Sequence, residues 1–513
     1  MKPPLLKVAM ILGKENVRGA CQGKSFLVRS DNSTIELPSG EFYIELMQSR
    51  PSAMQRWIWL GNSSEQNLEG WLSQALKSDD LIICFQPVGL TPGGEGWKTR
   101  SYRILARSAK KGLTDDELQK LTRKIPITAE PVFLEMPSGS NAGLIQLTSR
   151  DGSLTLDLEL PVRIESESSI RLIEAPVGEG FHWEHTEALE LTAPVWMAAD
   201  SSGKLCAGVE VEVEDYLASV NSSEMPAESP LEFLKAQVIA ARSWLLANWG
   251  SHHPGEPFTV CGGDHCQCYY GPNRIRESSL IAARDSAGVV LTYDNSICDA
   301  RYAKSCGGFT EPASNVWPFV HETYLGNFRD LPDEERPKSD LGNLDLTCED
   351  DFRRFQLRQE TSDACCSPGY APLEGRLADL TGLYRWREHK SLGELREIIK
   401  AKTGEDLGEI EDLIPGRRGP SGRLMALTIV GRQARYVASP ELEIRRVLSK
   451  THLPSSAFWV DRQGKDKIIL HGLGWGHGVG LCQVGAAAMA ARGYPHERIL
   501  AHYYPNTTLK KIY

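Results

Sequence analysis

The 513-residue sequence lacks any run of about 18 apolar residues, so it predicts no transmembrane helix. It also lacks an excess of positive charge, because its formal net charge is −10. Nucleic-acid binding requires a basic face that neutralises phosphates, so nucleic acid is not expected as a partner. Hydrophobic residues make up 41% and charged residues 24% of the chain. These ordinary values predict a folded globular protein, and the length predicts roughly two to four domains.

The N-terminus also lacks the features of a signal peptide. Residues 1–13 contain an apolar patch, but it is short and no small-residue cleavage site follows it. We expect this segment to form a first β-strand.

Residues 1–200 have the pattern of β-strands. Short apolar runs are bounded by Gly, Asp, Asn and Ser, and residues 154–160 alternate strictly between apolar and polar, as in a half-buried strand. A helical stretch, Thr114 to Lys124, interrupts them. No catalytic constellation is evident here, so we expect a β-rich accessory region.

Residues 205–250 change to helical periodicity. Ser229-Pro-Leu-Glu232 is a capping box with proline at the first helical position. We therefore expect a helix from Pro230 to about Trp249, which Gly250 ends. Its apolar face is formed by Leu231, Leu234, Val238, Leu245 and Trp249.

A Ser-Glu-Met-Pro run precedes this helix. Pro226 and the cap at Ser229 are expected to confine Glu224 to a turn rather than a helix face. Catalytic groups are concentrated on such positioned loops. Met225 and the apolar helix would partly remove the Glu224 carboxyl group from water, as suits a general acid.

Residues 213–243 closely resemble the signature of the SpoIID/LytB family. In that signature a short helix leads into a Ser-Glu-Met-Pro turn and a Lys-Ala-Gln-x-x-Ala-Ala-Arg helix. The family's glutamate in this turn is the catalytic residue of a peptidoglycan lytic transglycosylase. The resemblance implies that Glu224 is catalytic, and that Tyr216, Lys235 and Arg242 bind substrate.

Two further blocks resemble the same family. Residues 300–312 are similar to its Ser-x-Gly-Gly-x-Thr-Glu segment, and residues 474–490 with 502–507 are similar to its C-terminal signature. The family often has histidine where Ala303 stands, so any help from that histidine is absent here. The substrate-binding residues that these blocks imply are Ser305, Gly307, Gly308, Glu311, Trp475, His477 and Gln483. A simple turn at Glu311 and core packing of Trp475 are the alternatives.

Histidines and cysteines are concentrated between residues 252 and 268. Their close spacing is typical of zinc ligands, and some members of the family bind zinc near this segment. The expected ligands of a structural zinc ion are His253, Cys261, His265, Cys266 and Cys306. A disulfide bond between Cys266 and Cys306, or thiols with neither role, are the alternatives.

The expected fold class is α+β. A β-rich part over residues 1–200 precedes a SpoIID-type mixed catalytic domain over residues 201–513, and residues 318–450 form an inserted accessory lobe.

The resemblance implies cleavage of the glycosidic bond between N-acetylmuramic acid and N-acetylglucosamine, with a 1,6-anhydro product. A single carboxyl group suffices for this reaction. Hydrolysis would need a second carboxylate about 5–9.5 Å away, for which Asp215, Glu228 and Glu311 are candidates. A non-catalytic enhancer of a cell-wall amidase or a glycan-binding module is the main alternative, and a zinc enzyme is a weaker one. Peptidoglycan as substrate implies action in the cell envelope, outside the cytoplasmic membrane.

Overall fold

In the computed structural model the chain forms two compact units. The first comprises residues 1–227, 241–299 and 510–513, and the second comprises residues 228–240 and 300–509. The helix expected at Thr114–Lys124 lies outside the described residues. The structure describes residues 3–64, 81–90, 101–108, 132–138, 142–178, 184–226, 228–317, 320–332, 344–358 and 364–513.

The first unit is built mainly from β-strands. One sheet has the strand order Val260–Cys261, Leu5–Lys14, Leu205–Glu212, Val195–Ala199, Val162–Ser166, Ser25–Val28 and Thr34–Leu37. A second sheet has the order Thr155–Glu159, Ala142–Ser149, Gly40–Arg50, Asn16–Gln22, Ser169–Val177 and His185–Leu191. A third has the order Leu81–Val88, Ser101–Ser108, Ala53–Ser64 and Val132–Ser138. The short strands Val289–Tyr293 and Ser296–Ile297 form an antiparallel pair.

Apolar side chains between the first two sheets form the core of this unit. Strand Ser169–Val177 contacts both Leu5–Lys14 and Val162–Ser166 of the other sheet. Val8 and Leu172 are fully buried in these strands. Burial of each such side chain contributes roughly 1.5–3 kcal/mol, so apolar packing is the main stabilising interaction.

Helices follow these strands along the chain. They are Val213–Glu224, Leu231–Ala247 and Glu277–Asp285, with a 3-10 turn at Pro272–Arg274. The helix Leu231–Ala247 agrees within two residues with the helix expected from Pro230 to Trp249. It begins in the second unit and ends in the first.

The second unit mixes short sheets with helices. One sheet has the order Arg385–Ser391, Lys467–Leu473 and Phe458–Gln463, and another has the order Ile410–Pro415, Leu427–Gly431 and Arg435–Ala438. Tyr302–Ala303 pairs in parallel with Leu481–Cys482. The helices are Ala313–Val316, Glu349–Leu357, Gly375–Thr381, Leu392–Thr403, Glu441–Val447, Gln483–Ala491 and His496–Tyr503, with a 3-10 turn at Gly382–Tyr384. The last strand of the chain is Thr508–Lys511.

The α+β fold class is confirmed, as are the β-rich N-terminal region and the strand expected at the N-terminus. The compact units do not separate at residue 200. The reason is that Leu5–Lys14 pairs antiparallel with Leu205–Glu212, so strands from both sides of residue 200 share one sheet. Within the described parts of the chain, none of the helices has the length and hydrophobicity needed to cross a lipid bilayer.

Candidate functional site

Glu224 is the last residue of the helix Val213–Glu224, which we call the Glu224 helix. The expectation that Glu224 lies in a turn outside a helix is therefore wrong. Met225 is extended, with φ −133° and ψ 151°, which is the conformation that Pro226 favours in the residue before it. The Met225 N–H donates to the Asn221 carbonyl at 3.1 Å and closes the last helical turn. A half-buried glutamate thus stands at the end of a helix.

The Glu224 helix is held by the segment that follows the histidine–cysteine run. Tyr216 stacks on Tyr269, with ring centroids 5.2 Å apart. Ser219 Oγ donates to the Gly271 carbonyl at 2.6 Å. Tyr216 is fully buried, so its expected role in substrate binding is corrected to a packing role.

Arg242 joins the first turn of the Glu224 helix to the helix Leu231–Ala247. Its Nε and Nη2 donate to the Glu214 carboxylate at 2.9 and 2.5 Å, and its Nη1 donates to the Val289 carbonyl at 2.8 Å. Tyr513 Oη donates to the same carboxylate at 2.5 Å. Because Arg242 is 0% exposed, the expectation that it contacts substrate is corrected.

The structure brings His253, Cys261, His265 and Cys266 together, and we call them the His-Cys cluster. One ligand atom from each lies within 4.8 Å of all the others. Cys266 Sγ is 3.3 Å from His253 Nε2 and 3.8 Å from His265 Nδ1. Hydrogen bonding with Cys266 and then with the two histidines holds the pKa of Cys261 far below its ordinary value, against the opposing effect of burial. Two thiols and two imidazoles, with one thiol readily ionised, fit a tetrahedral zinc ion.

Cys306, the fifth expected ligand, lies elsewhere. It belongs to the second unit, beside Asp330 and two other cysteines. The prediction that Cys306 joins the His-Cys cluster is therefore corrected, because all four residues of that cluster come from the loop of residues 253–266. The alternative disulfide between Cys266 and Cys306 is not formed either: all twelve cysteines are among the described residues, and no disulfide joins any of them.

Asp264 is a neighbour of Glu224 that the motifs did not reveal. The pKa of Asp264 is raised, first by burial and then by the charges of Cys261 and Glu224. The pKa of Tyr270 is raised as well, mainly by burial, then by Cys268 and by Glu224. Both groups therefore lie within the electrostatic field of Glu224. Asp264 stands inside the Cys-Gly-Gly-Asp-His-Cys run, which is interpreted from the sequence only as a candidate metal site, so the nearness of Asp264 to Glu224 was not predicted.

The Ser305–Gly308 turn packs against protein rather than standing open to a sugar. The Ser305 N–H donates to the Trp475 carbonyl at 3.1 Å, and the Trp475 N–H donates back to the Ser305 carbonyl at 2.8 Å. Gly307 and Gly308 have φ of 78° and 116°, which favour glycine. A Cβ on Gly308 would lie 2.9 Å from the Phe355 ring. Ser305 is only 1% exposed, so the substrate role expected for this turn is corrected. Trp475 is half-buried, and its role in substrate binding stays a prediction.

His477 is half-buried and remains a candidate for substrate binding. Its Nδ1 accepts a hydrogen bond from the Val479 N–H at 3.0 Å, and its ring meets Trp317 edge-on with centroids 4.8 Å apart. The Arg301 guanidinium lies 3.7 Å from the Trp317 ring centroid. Burial and then the charge of Arg301 hold the pKa of His477 well below its ordinary value. The imidazole is therefore neutral near pH 7 and carries its proton on Nε2, since Nδ1 accepts.

Glu311 is a buried structural carboxylate. It is 0% exposed, and it accepts hydrogen bonds from the Ser421 N–H at 3.2 Å, from the Ser421 hydroxyl and from the Asn315 amide. Burial raises its pKa. Gln483, the first residue of its helix, is only 1% exposed. The expected substrate roles of Glu311 and Gln483 are corrected, as is the candidacy of Glu311 as second carboxylate.

The other candidate carboxylates are exposed. Asp215 lies on the Glu224 helix nine residues before Glu224, a rise of about 13 Å, which exceeds the roughly 5–9.5 Å that hydrolysis requires. Glu228 belongs to the second unit. Lys235 is half-buried, and its Nζ lies 3.3 Å from Glu232 Oε1. Its role in substrate binding stays a prediction.

Comparison with known proteins identifies the region that contains the Glu224 helix and the His-Cys cluster. Residues 201–293 match the SpoIID family model, described as stage II sporulation protein, and residues 311–480 match a domain of unknown function (DUF8618). The chain is 28% identical over 310 residues to the amidase enhancer of Bacillus subtilis (strain 168); the match covers 57% of this chain and only 40% of that protein. It is 24% identical over 367 residues to stage II sporulation protein D of the same organism, covering 69% of this chain and 88% of that protein. An uncharacterised protein of Brachyspira hyodysenteriae is 26% identical over 295 residues, covering 58% and 66%.

The Glu224 helix, the following long helix and the His-Cys loop together define a SpoIID-type domain. The family match over residues 201–293 and the alignments with the amidase enhancer and stage II sporulation protein D support an assignment to the SpoIID/LytB family.

Proposed function

We propose that this protein is a peptidoglycan lytic transglycosylase in which Glu224 is the catalytic acid and base. The observation that carries the proposal is the half-buried Glu224 at the end of its helix. Tyr269 and Gly271 hold that helix in place through Tyr216 and Ser219. Rigid support of this kind keeps a general acid within hydrogen-bond reach of a bound substrate. The substrate places the protein in the cell envelope, outside the cytoplasmic membrane.

In the proposed reaction, protonated Glu224 donates to the glycosidic oxygen between N-acetylmuramic acid and N-acetylglucosamine as the bond to C1 breaks. The Glu224 carboxylate then removes the proton from the C6 hydroxyl of the muramic residue, and the C6 oxygen bonds to C1. The product end is a 1,6-anhydro sugar and no water is consumed. One carboxyl group suffices because the C6 hydroxyl is held next to C1 at high effective concentration.

The His-Cys cluster is proposed to hold a structural zinc ion. Its four protein donors complete a tetrahedral shell, and zinc sites closed in this way are structural, whereas catalytic ones keep an open position. When bound, the ion fixes the loop that contains Asp264 and leads into Tyr269. The part of the loop that meets the Glu224 helix is thereby ordered.

Glu224→Gln tests the catalytic role. It keeps the side chain's shape and removes the transferable proton, so release of glycan fragments should fall by at least ~10²-fold. The measurement is mass spectrometry of fragments released from purified glycan strands. Asp215→Asn, an exposed carboxylate on the same helix, is the matched control and should keep wild-type turnover. Turnover near the wild-type level in Glu224→Gln would contradict the catalytic role of Glu224.

The chemistry of the product ends distinguishes transglycosylation from hydrolysis. If Glu224 acts alone, every new muramic end is a 1,6-anhydro sugar, and Asp264→Asn keeps activity within a few-fold. A hydrolase would instead give free reducing ends and would depend on a second carboxylate. Reducing ends that disappear in Asp264→Asn would overturn the single-carboxyl mechanism and identify Asp264 as that group.

A second candidate function is a non-catalytic enhancer of a cell-wall amidase, which the alignment with the amidase enhancer favours. This function predicts that the chain alone releases no glycan fragments. It also predicts that Glu224→Gln stimulates a purified amidase on intact cell walls as well as the wild type does. Fragment release by the wild type and not by Glu224→Gln decides for the enzyme.

A further inference from the structure

A second group of metal-binding side chains lies in the interior of the second unit, apart from the His-Cys cluster. It consists of Cys306, Asp330, Cys366 and Cys482, and we call it the thiol cluster. Each of these residues is at most 1% exposed. One ligand atom from each lies within 4.8 Å of all the others. Four separate chain segments therefore bring three thiols and a carboxylate to one buried point.

The distances within the thiol cluster match ligands of one tetrahedral ion. Cys306 Sγ and Cys366 Sγ are 3.7 Å apart. Two sulfurs bound tetrahedrally to zinc at about 2.3 Å are about 3.8 Å apart, whereas a disulfide bond is about 2.05 Å long. Asp330 Oδ2 lies 3.2 Å from Cys306 Sγ, close to the roughly 3.5 Å expected between a sulfur and an oxygen ligand.

Backbone amides point at the sulfurs of the thiol cluster. The Gly308 N–H donates to Cys306 Sγ at 3.4 Å, and the Cys306 N–H donates to Cys482 Sγ at 3.3 Å. The Gly485 N–H donates to Cys482 Sγ at 3.4 Å. Hydrogen bonds of this kind favour the thiolate and orient it, as outer partners do around metal ligands.

The Asp330 carboxylate is oriented by partners on its other oxygen. Oδ1 accepts a hydrogen bond from Tyr503 Oη at 2.7 Å and lies 3.4 Å from His502 Nε2. Oδ2 is thereby directed toward the thiols. A metal-binding carboxylate typically has such a hydrogen-bonded second oxygen.

We propose that the thiol cluster is a second structural zinc site, in which Cys306, Cys366, Cys482 and Asp330 bind one Zn²⁺. Binding releases the thiol protons to solvent and requires no redox reaction. The ion joins the turn after Cys306, the chain around Cys366 and the start of the helix that Cys482 caps. This inference does not depend on the role of Glu224.

Asp330, Cys365 and His502 form an overlapping set whose ligand atoms also lie within 4.8 Å of one another. That set supplies one thiol, whereas the thiol cluster supplies three. Zinc in structural sites is held mainly by cysteine, so the three-thiol set is the better site. Cys365→Ser distinguishes the two, because it removes a ligand from the second set only.

The test uses the full chain with Cys261→Ser and Cys266→Ser, which removes the thiols of the His-Cys cluster. Purified without added zinc, this protein should retain about one equivalent of zinc by mass spectrometric metal analysis. A further Cys366→Ser should abolish the bound zinc. Cys365→Ser and Cys348→Ser should keep it, and Cys348, an exposed cysteine of the same unit, is the matched control.

Cobalt keeps the proposal testable if Cys366→Ser does not fold. The Cys261→Ser/Cys266→Ser protein loaded with Co²⁺ should show thiolate-to-cobalt charge-transfer absorption and the bands of tetrahedral cobalt. The unaltered chain should contain about two equivalents of zinc, against about one if only the His-Cys cluster binds. The second site would be overturned if the Cys261→Ser/Cys266→Ser protein contained no metal. A disulfide between any two of the three cysteines, seen in non-reducing peptide maps, would overturn it as well.

Discussion

Arg242 and Glu214 form an ion pair that is almost withdrawn from water. The arginine is 0% exposed, whereas the glutamate side chain retains 17%. Three donor atoms of Arg242 are used on Glu214 and the Val289 carbonyl. At this scale, burial decides the role of a residue: the arginine of the family motif holds helices together and leaves no surface for substrate.

Arg242→Met should destabilise the protein strongly. Removing one partner of a buried pair leaves the other charge uncompensated and costs about 3–5 kcal/mol; the residual exposure of Glu214 favours the lower end. The measurement is urea unfolding followed by circular dichroism. The double variant Glu214→Gln/Arg242→Met should recover part of the loss. Wild-type stability combined with weakened binding of glycan would instead restore the substrate role of Arg242.

The helix Leu231–Ala247 is held at its first turn by contacts to the helix His496–Tyr503. Glu232 accepts a hydrogen bond from the His496 N–H at 2.9 Å and lies 2.7 Å from His496 Nδ1. Burial raises the pKa of Glu232, but the hydrogen bonds from His496 and from Lys235 outweigh it and lower the pKa to about 2 from its ordinary 4.5. The ionised carboxylate therefore stabilises the junction of these two elements.

Glu232→Gln should lower the melting temperature at pH 7. Because the pKa of Glu232 is depressed in the folded state, its contribution is present above about pH 4.5 and is lost as the pH falls toward 2. The difference in melting temperature between variant and wild type should shrink across that window. Glu397→Gln, an exposed glutamate on another helix, should show little difference at any pH. A Glu232→Gln difference independent of pH would contradict the assignment.

A zinc site is proposed in each of the two compact units. The His-Cys cluster lies in the first unit and the thiol cluster in the second. In each unit the clustered residues come from segments that lack long regular structure, which is where a bound ion would contribute most to order. Domain-specific loss of metal should therefore have domain-specific effects.

Cys266→Ser should remove one equivalent of zinc and loosen the first unit. Hydrogen–deuterium exchange should quicken in peptides from the loop 253–276 and from the Glu224 helix, since Tyr269 and Gly271 join the two. Peptides from the sheet that contains Lys467–Leu473 should exchange as in the wild type. Cys348→Ser is the control for loss of a thiol. Unchanged exchange together with unchanged metal content would refute the His-Cys zinc site.

The sequence by itself determined the features that depend on neighbouring residues. Strand alternation and helical periodicity predicted the α+β class, the first strand and the helix Leu231–Ala247, because burial of one face imposes a period on the chain. The Ser-Glu-Met-Pro run singled out Glu224 and carried the resemblance to the SpoIID/LytB family. The grouping of the His-Cys cluster was predictable as well, since its four residues lie within residues 253–266 and so show their spacing directly.

Only the tertiary structure decided which motif residues face water and which distant residues meet. Tyr216, Arg242 and Glu311 stand in family motifs, but each is buried by partners far along the chain, such as Ser421 for Glu311. The sequence placed Glu224 in a turn, whereas the helix continues until Pro226 forces Met225 out of it. The thiol cluster carries no local signal, because its residues are spread from Cys306 to Cys482. Long-range packing brings them together, and no short spacing in the chain encodes it.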